Sequence, residues 1–322
     1  MQAKRLFCLV LLTSLLVACA QPAPTPTPTP APTRTPAALS LNNPFGIFVD
    51  TAGRVYVADT FNHRVIRFDD FSATRWAAYG SKGSGEGRFG APMSVCVGAD
   101  GRIYVADAGN NCIVRMDDMN GTNWTALGSN WTTAGGSGRG QFSFPDAIFV
   151  APDNRIYVAE QGNRRIVRMD DMDGSNWATF GGVGPANEQF GGPTGIFVTP
   201  EGKIYVMDFR VVRIDDMDGA NWIVYGAEGN DIGEFQYPWD VTLDSEGRIY
   251  VADTWNSRIV RIDDMTGKGW TTYGSHGTQA GQFRTTHNVF VDTRGKIYVV
   301  DGASNRIVRI DDMNGTNWTT LP

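Results

Sequence analysis

Beyond residue 43 the apolar positions fall into short runs, each cut off by a turn-forming group. The first set is representative: Gly46 to Asp50, Arg54 to Asp59, Arg64 to Asp69 and Trp76 to Tyr79 read as four β-strands. Thr51-Ala52-Gly53 separates the first two strands. In later sets Asn-Gly or Asp-Gly follows the third, at Asn120-Gly121, Asp173-Gly174, Asp218-Gly219 and Asn314-Gly315. Those dipeptides accept the positive φ that tight hairpins require. No apolar stretch has a helical period over ten or more residues, which argues against a helical solenoid.

The set repeats. A phrase of the form Arg-Val-Tyr-Val-Ala-Asp recurs at Arg54 to Asp59, Arg102 to Asp107, Arg155 to Glu160, Lys203 to Asp208, Arg248 to Asp253 and Lys296 to Asp301. Its tyrosines (56, 104, 157, 205, 250 and 298) are spaced 48, 53, 48, 45 and 48 residues apart. Four short strands repeated at such an interval make a propeller blade. The expected fold is therefore all-β, a six-bladed β-propeller of four-stranded antiparallel blades over residues 39–322, with blades near 44–80, 92–128, 145–181, 193–226, 238–274 and 286–322. The phrases Val55 to Asp69 and Ile249 to Asp263 resemble the NHL repeat of six-bladed propellers. Two copies depart from it: the fourth is three residues short between Asp208 and Arg210, and the second has Cys112 where others have arginine. The domain starts on a first strand and ends on a fourth, so ring closure is expected from contact of blades one and six, helped by Leu39 to Leu41.

Upstream, Lys4 and Arg5 precede an apolar run, Leu6 to Val17, too short for a permanent membrane span. Leu16-Val17-Ala18-Cys19 resembles the bacterial lipobox. That resemblance implies a signal peptide over 1–18, lipidation of Cys19, and attachment to a membrane of the cell envelope with the domain on the extracytoplasmic side; paired acyl chains anchor stably. Residues 19–38 hold that cysteine and a Pro/Thr tract that favours extended polyproline II, a spacer of about 50 Å.

Composition narrows the function. Hydrophobic residues make up 42% of the 322, enough for a sizeable core, and 34 acidic face 28 basic side chains. Removing the signal takes two basic residues with it and leaves a formal charge of −8. Nucleic acid is a poor partner for such a surface. The expected partners are an extracytoplasmic protein, peptide or glycan, with the membrane reached through Cys19 and the propeller itself monomeric.

Residues common to the copies are read as structural. The Asp59/Arg64 type of pair, expected in four copies with Glu160/Arg165 in a fifth, pins the loop between strands two and three. Trp76, Trp124, Trp177, Trp222, Trp270 and Trp318 pack on the fourth strands. Phe89, Phe142, Phe190, Phe235 and Phe283 anchor the inter-blade loops. Cys96 and Cys112 lie on strands one and three of one blade, about 9.6 Å apart, beyond disulfide reach. Two free, buried thiols are expected.

Function is sought where the copies differ, on the face shared by the strand-one entries and the loops between strands two and three. The entry positions supply Phe45, Met93, Asp146, Thr194, Trp239 and His287, then Gly46, Ser94, Ala147, Gly195, Asp240 and Asn288. The loops add Phe61, His63, Asn111, Arg164 and Trp255, and the long loop Gly128 to Pro145 adds Trp131. Trp239 and Trp255 stand outside the repeated set and are the expected stacking platform. Hence the primary expectation is a binding or scaffold propeller with no cofactor. The alternative is a metal-dependent propeller enzyme, streptogramin-lyase-like or lactonase-like, with its site at the channel mouth. The NHL propeller resembles the peptidylglycine amidating lyases, which hold zinc with three histidines; this chain has His63, His276 and His287. A channel Zn or Ca ion would draw on His63 and His287, and His287, Asp240 and His63 are the catalytic candidates.

Overall fold

The computed structural model describes residues 39–128, 135–182 and 189–322, of which Leu39–Pro322 is one compact unit. The expected signal, Cys19, the linker and Trp131 lie outside the described residues. Six four-stranded antiparallel sheets follow one another, as the repeat predicts. Blade one comprises Ile47–Val49, Val55–Asp59, Arg64–Phe68 and Trp76–Tyr79. The inner strands of the next five are Pro92–Val97, Pro145–Val150, Gly195–Val198, Asp240–Leu243 and Thr286–Val291. Each inner strand touches the next, and the sixth touches the first, so the ring closes.

Each second strand is buried along its whole length, between the inner and third strands of its own blade and between neighbouring blades. That environment explains the apolar Ile/Val-Tyr-Val-Ala phrase. The carboxylate that ends it organises the chain entering the same blade. Asp59 accepts from Asn42 N, Asp107 from Gly90 N and Ala91 N, and Asp301 from Arg284 N and Thr285 N. The ion pair expected beside it in five copies forms in four, as Arg64–Asp59, Arg165–Glu160, Arg258–Asp253 and Arg306–Asp301, while in the shortened fourth copy Asp208 accepts from Gly191 N and Gly192 N. The expected loop anchors are also in place. Phe89, Phe142, Phe190, Phe235 and Phe283 are buried, and each sits 5.3–5.5 Å from the repeated tryptophan of its blade.

Among the described residues each blade is built from four consecutive strands and none is exchanged to close the ring. Leu41 is buried with Ile47, Tyr298 and Leu321, and Leu39 packs beside them. Ser40 O accepts from Arg64 and Asn62, and Asn43 N donates to Asn305 Oδ1 at 2.7 Å. Thus the segment from Leu39 to Asn43 joins blade one to blade six. Cys96 and Cys112 are free and buried.

Candidate functional site

The channel is floored before it can become a pore. The register that pairs Phe48 with Tyr56 also pairs Cys96, Phe149, Phe197, Thr242 and Phe290 with the tyrosines of their blades. Phe48 lies 5.2 Å from Phe290, and Phe149 4.9 Å from Phe197. A cavity of only about 40 Å³ remains among these residues.

Above that floor is a mouth whose residues are aimed by backbone irregularities. In blades two, three and six the inner strand slips register between Pro92 and Ser94, Pro145 and Ala147, and Thr286 and Asn288. The residues caught in these bulges are Met93, Asp146 and His287, all buried. A bulge leaves one residue out of the ladder and turns its side chain. His287 uses that freedom to stack on Phe45 at 3.8 Å and to lie 6.1 Å from Trp239, while its Nδ1 is 3.1 Å from Pro44 O. A Cβ at Gly302 would stand 2.2 Å from that nitrogen, so only glycine leaves room for the ring.

Burial sets the charge of the mouth. It holds His287 down to about 4, against the opposing pull of the Pro44 carbonyl and Asp301, so the imidazole is neutral at pH 7. Burial likewise pushes Asp240 up to about 8, although its Oδ2 accepts from Val289 N at 3.4 Å. A Cβ at Gly195 would come within 2.7 Å of Asp240 Oδ1. Asp146 is 2% exposed and neither of its carboxylate oxygens has a partner among the described residues. Its carboxyl is held well above the usual range by burial alone.

The expected platform of Trp239 and Trp255 divides into two aromatic groups. Trp239 is half-buried and belongs to the mouth, 5.5 Å from Phe45. Trp255 is 62% exposed and stacks on Tyr237 at 4.0 Å with planes 28° apart, and Tyr237 meets Phe209 edge-on at 5.9 Å. Phe209 and Tyr237 are themselves 50% and 44% exposed. Both border a cavity of about 620 Å³ with Asp208, Arg210 and Glu228. Sequence reasoning passed over Tyr237 and Phe209. The signal for Phe209 was the shortened fourth loop, which leaves a lone phenylalanine between Asp208 and Arg210.

Other expected site residues have local tasks. Phe61 is exposed, as is Arg164, whose backbone is left-handed at φ 55°. Asn111 is buried and its Oδ1 accepts from Phe144 N at 2.7 Å. Asn288 lines the channel. The histidines are held separately: His63 Nδ1 is 2.7 Å from Gly90 O, and His276 Nδ1 is 3.2 Å from Ser257 Oγ. Among the described residues no three of His, Cys, Asp or Glu are grouped to hold a metal, and no helix is long and apolar enough to cross a membrane.

This geometry defines a six-bladed β-propeller of NHL-like, all-β type. The NHL repeat profile matches residues 89–116 and 235–262, in blades two and five with the loops that enter them. No curated protein sequence matches the chain. Among solved structures it is similar to a streptogramin B lyase, with TM-score 0.60, 17% identity, and 88% of this chain and 84% of that one covered. It is also similar to a catalytically inactive virginiamycin B lyase from Staphylococcus aureus with quinupristin, at TM-score 0.58 and 17% identity, covering 88% and 87%. A gluconolactonase from Xanthomonas campestris gives TM-score 0.60 and 14% identity, covering 82% and 84%. At such identities the likeness is one of fold.

Proposed function

We propose that the chain is a membrane-anchored, extracytoplasmic binding propeller that takes a glycan or peptide on the loop face of blades four and five. The observation that carries this reading is the run of three exposed rings in which Tyr237 contacts both Phe209 and Trp255. Exposed aromatic rings in contact offer flat apolar faces for sugar rings or planar side chains. The adjoining cavity of about 620 Å³ is of ligand size, and Asp208, Arg210 and Glu228 offer it hydrogen bonds. Lipidation at Cys19 would hold this face outside the membrane, and the acidic surface is unsuited to nucleic acid. The reading as a metal-dependent lyase or lactone hydrolase finds less support, because among the described residues His63 and His287 are not grouped with a third His, Cys, Asp or Glu that could complete a metal site.

The test is titration with soluble cell-wall glycan fragments and secreted peptides against wild type, Trp255→Ala and Tyr237→Ala. Binding that disappears in both variants, while each still melts cooperatively within a few degrees of wild type, supports the platform. Equal binding by all three proteins sinks it.

A further inference from the structure

The six residues of the mouth are sorted by chemistry around the ring. Blades five, six and one contribute Trp239, His287 and Phe45, in mutual contact. Blades two, three and four contribute Met93, Asp146 and Thr194, all buried. His287 touches the entry residues on both sides of it, Trp239 and Phe45. Asp146 occupies the same bulge position in blade three, which places it between Met93 and Thr194. Neither Asp146 oxygen has a hydrogen-bond partner among the described residues, and Thr194 Oγ1 has none either.

We propose that Asp146 and Thr194 form a subsite for a primary ammonium group, with the aromatic arc of Phe45, Trp239 and His287 taking the apolar body that carries it.

Once Asp146 gives up to solvent the proton that burial holds on it, its two oxygens and the Thr194 hydroxyl of the adjacent blade offer three acceptors to the three N–H donors of an ammonium. Buried polar groups are ordinarily paired, so a carboxyl and, in the next blade, a hydroxyl that both lack partners among the described residues point to a group supplied from outside. Among the described residues burial alone acts on Asp146, so a bound cation would supply it a counter-charge. A neutral hydroxyl brings one donor and no charge, and leaves the rest of the set unsatisfied. Across the mouth the aromatic faces favour an apolar or aryl body, and indole attracts a nearby cation. This subsite is separate from the Trp255 platform, so either can fail without the other.

The test is isothermal titration of the full-length chain with 2-phenylethylamine, against 2-phenylethanol as the uncharged isostere. The expected result is binding of the amine, with the alcohol and Asp146→Asn each weaker by about tenfold or more. Thr194→Val should give a smaller loss, and it decides the matter if the asparagine variant does not fold. Trp255→Ala should leave the amine affinity unchanged. No heat with millimolar amine, equal affinity for the alcohol, or unaltered binding by Asp146→Asn and Thr194→Val would overturn the assignment.

Discussion

Trp255 stacks on Tyr237 at 4.0 Å, yet the indole remains 62% exposed. The contact covers one face of the ring and leaves the other to solvent. Such a pair adds about 0.5–1.5 kcal/mol beyond its burial. Trp255→Ala is therefore expected to cost about 1 kcal/mol or less in urea unfolding, while abolishing ligand binding on this face. A loss several times larger would make Trp255 a packing residue.

The repeated aromatics should behave in the opposite way. Phe283 is fully buried and packs 5.4 Å from Trp318 and 6.2 Å from Tyr273. Phe283→Ala removes a whole ring from a closed site and is expected to cost about 3–5 kcal/mol in the same assay. Phe283→Leu, which refills part of the volume, should recover part of that loss.

This contrast also explains what could be read from sequence. Phe283, Trp318 and Asp301 each recur at the same place in other copies, and the physical demand on them is met within a blade and the loop that enters it. One copy therefore explains the others, and strand order, blade number and the ion pairs followed from the repeat. The site has no such redundancy. Tyr237 and Phe209 become a platform with Trp255 because loops of two different blades meet, and that distance is not written in either loop. Asp146 was visible as a carboxylate at an entry position. That neither of its oxygens finds a partner among the described residues goes with a bulge that a pattern of apolar runs does not register.

Ring closure depends on a short segment, which makes it testable. Leu41 is buried against Tyr298 and Leu321, at the seam of blades one and six. Leu41→Asp would place an unpaired charge there, at a cost of several kcal/mol. Hydrogen exchange should quicken first in blades one and six while blades three and four keep their protection. Uniform loss across all six blades would mean that the seam is not the weak point.

The thiols give an independent check on packing. Cys96 is buried in the channel wall, its sulfur accepting from Val150 N at 3.4 Å, and burial pushes the thiol up to about 12. Burial raises Cys112 as well, aided by the nearby Asp107. Thiolate is the reactive form, so both cysteines are expected to resist iodoacetamide at pH 8 in the folded chain and to react once it is unfolded in urea. Peptide mass mapping reads each site separately, and fast native labelling of Cys96 would show a channel open to solvent.

Asp240 and His287 should leave opposite marks on the pH dependence of stability. The folded chain holds Asp240 at about 8, above the ordinary 3.8, so folding favours its protonated form. The stability this contributes is complete below about pH 4 and is lost as pH rises through 8. His287, held at about 4 below its ordinary 6.5, contributes stability that is present above 6.5 and lost as pH falls through 4. Above pH 6.5 the histidine no longer contributes to the slope, and the carboxyl does. Asp240→Asn keeps an oxygen for Val289 N but cannot ionise. Relative to wild type, the variant should gain stability steadily from pH 4 to 8 and level off above that. The final difference should be on the order of a few kcal/mol, since one pKa unit is worth about 1.4 kcal/mol. Asp146 is present in both proteins, so its own titration cancels from the comparison. Melting temperatures of the two proteins at pH 5, 6.5, 8 and 9 provide the measurement. A gap that stays constant across that range would mean that solvent reaches Asp240 and keeps it ionised in the folded mouth.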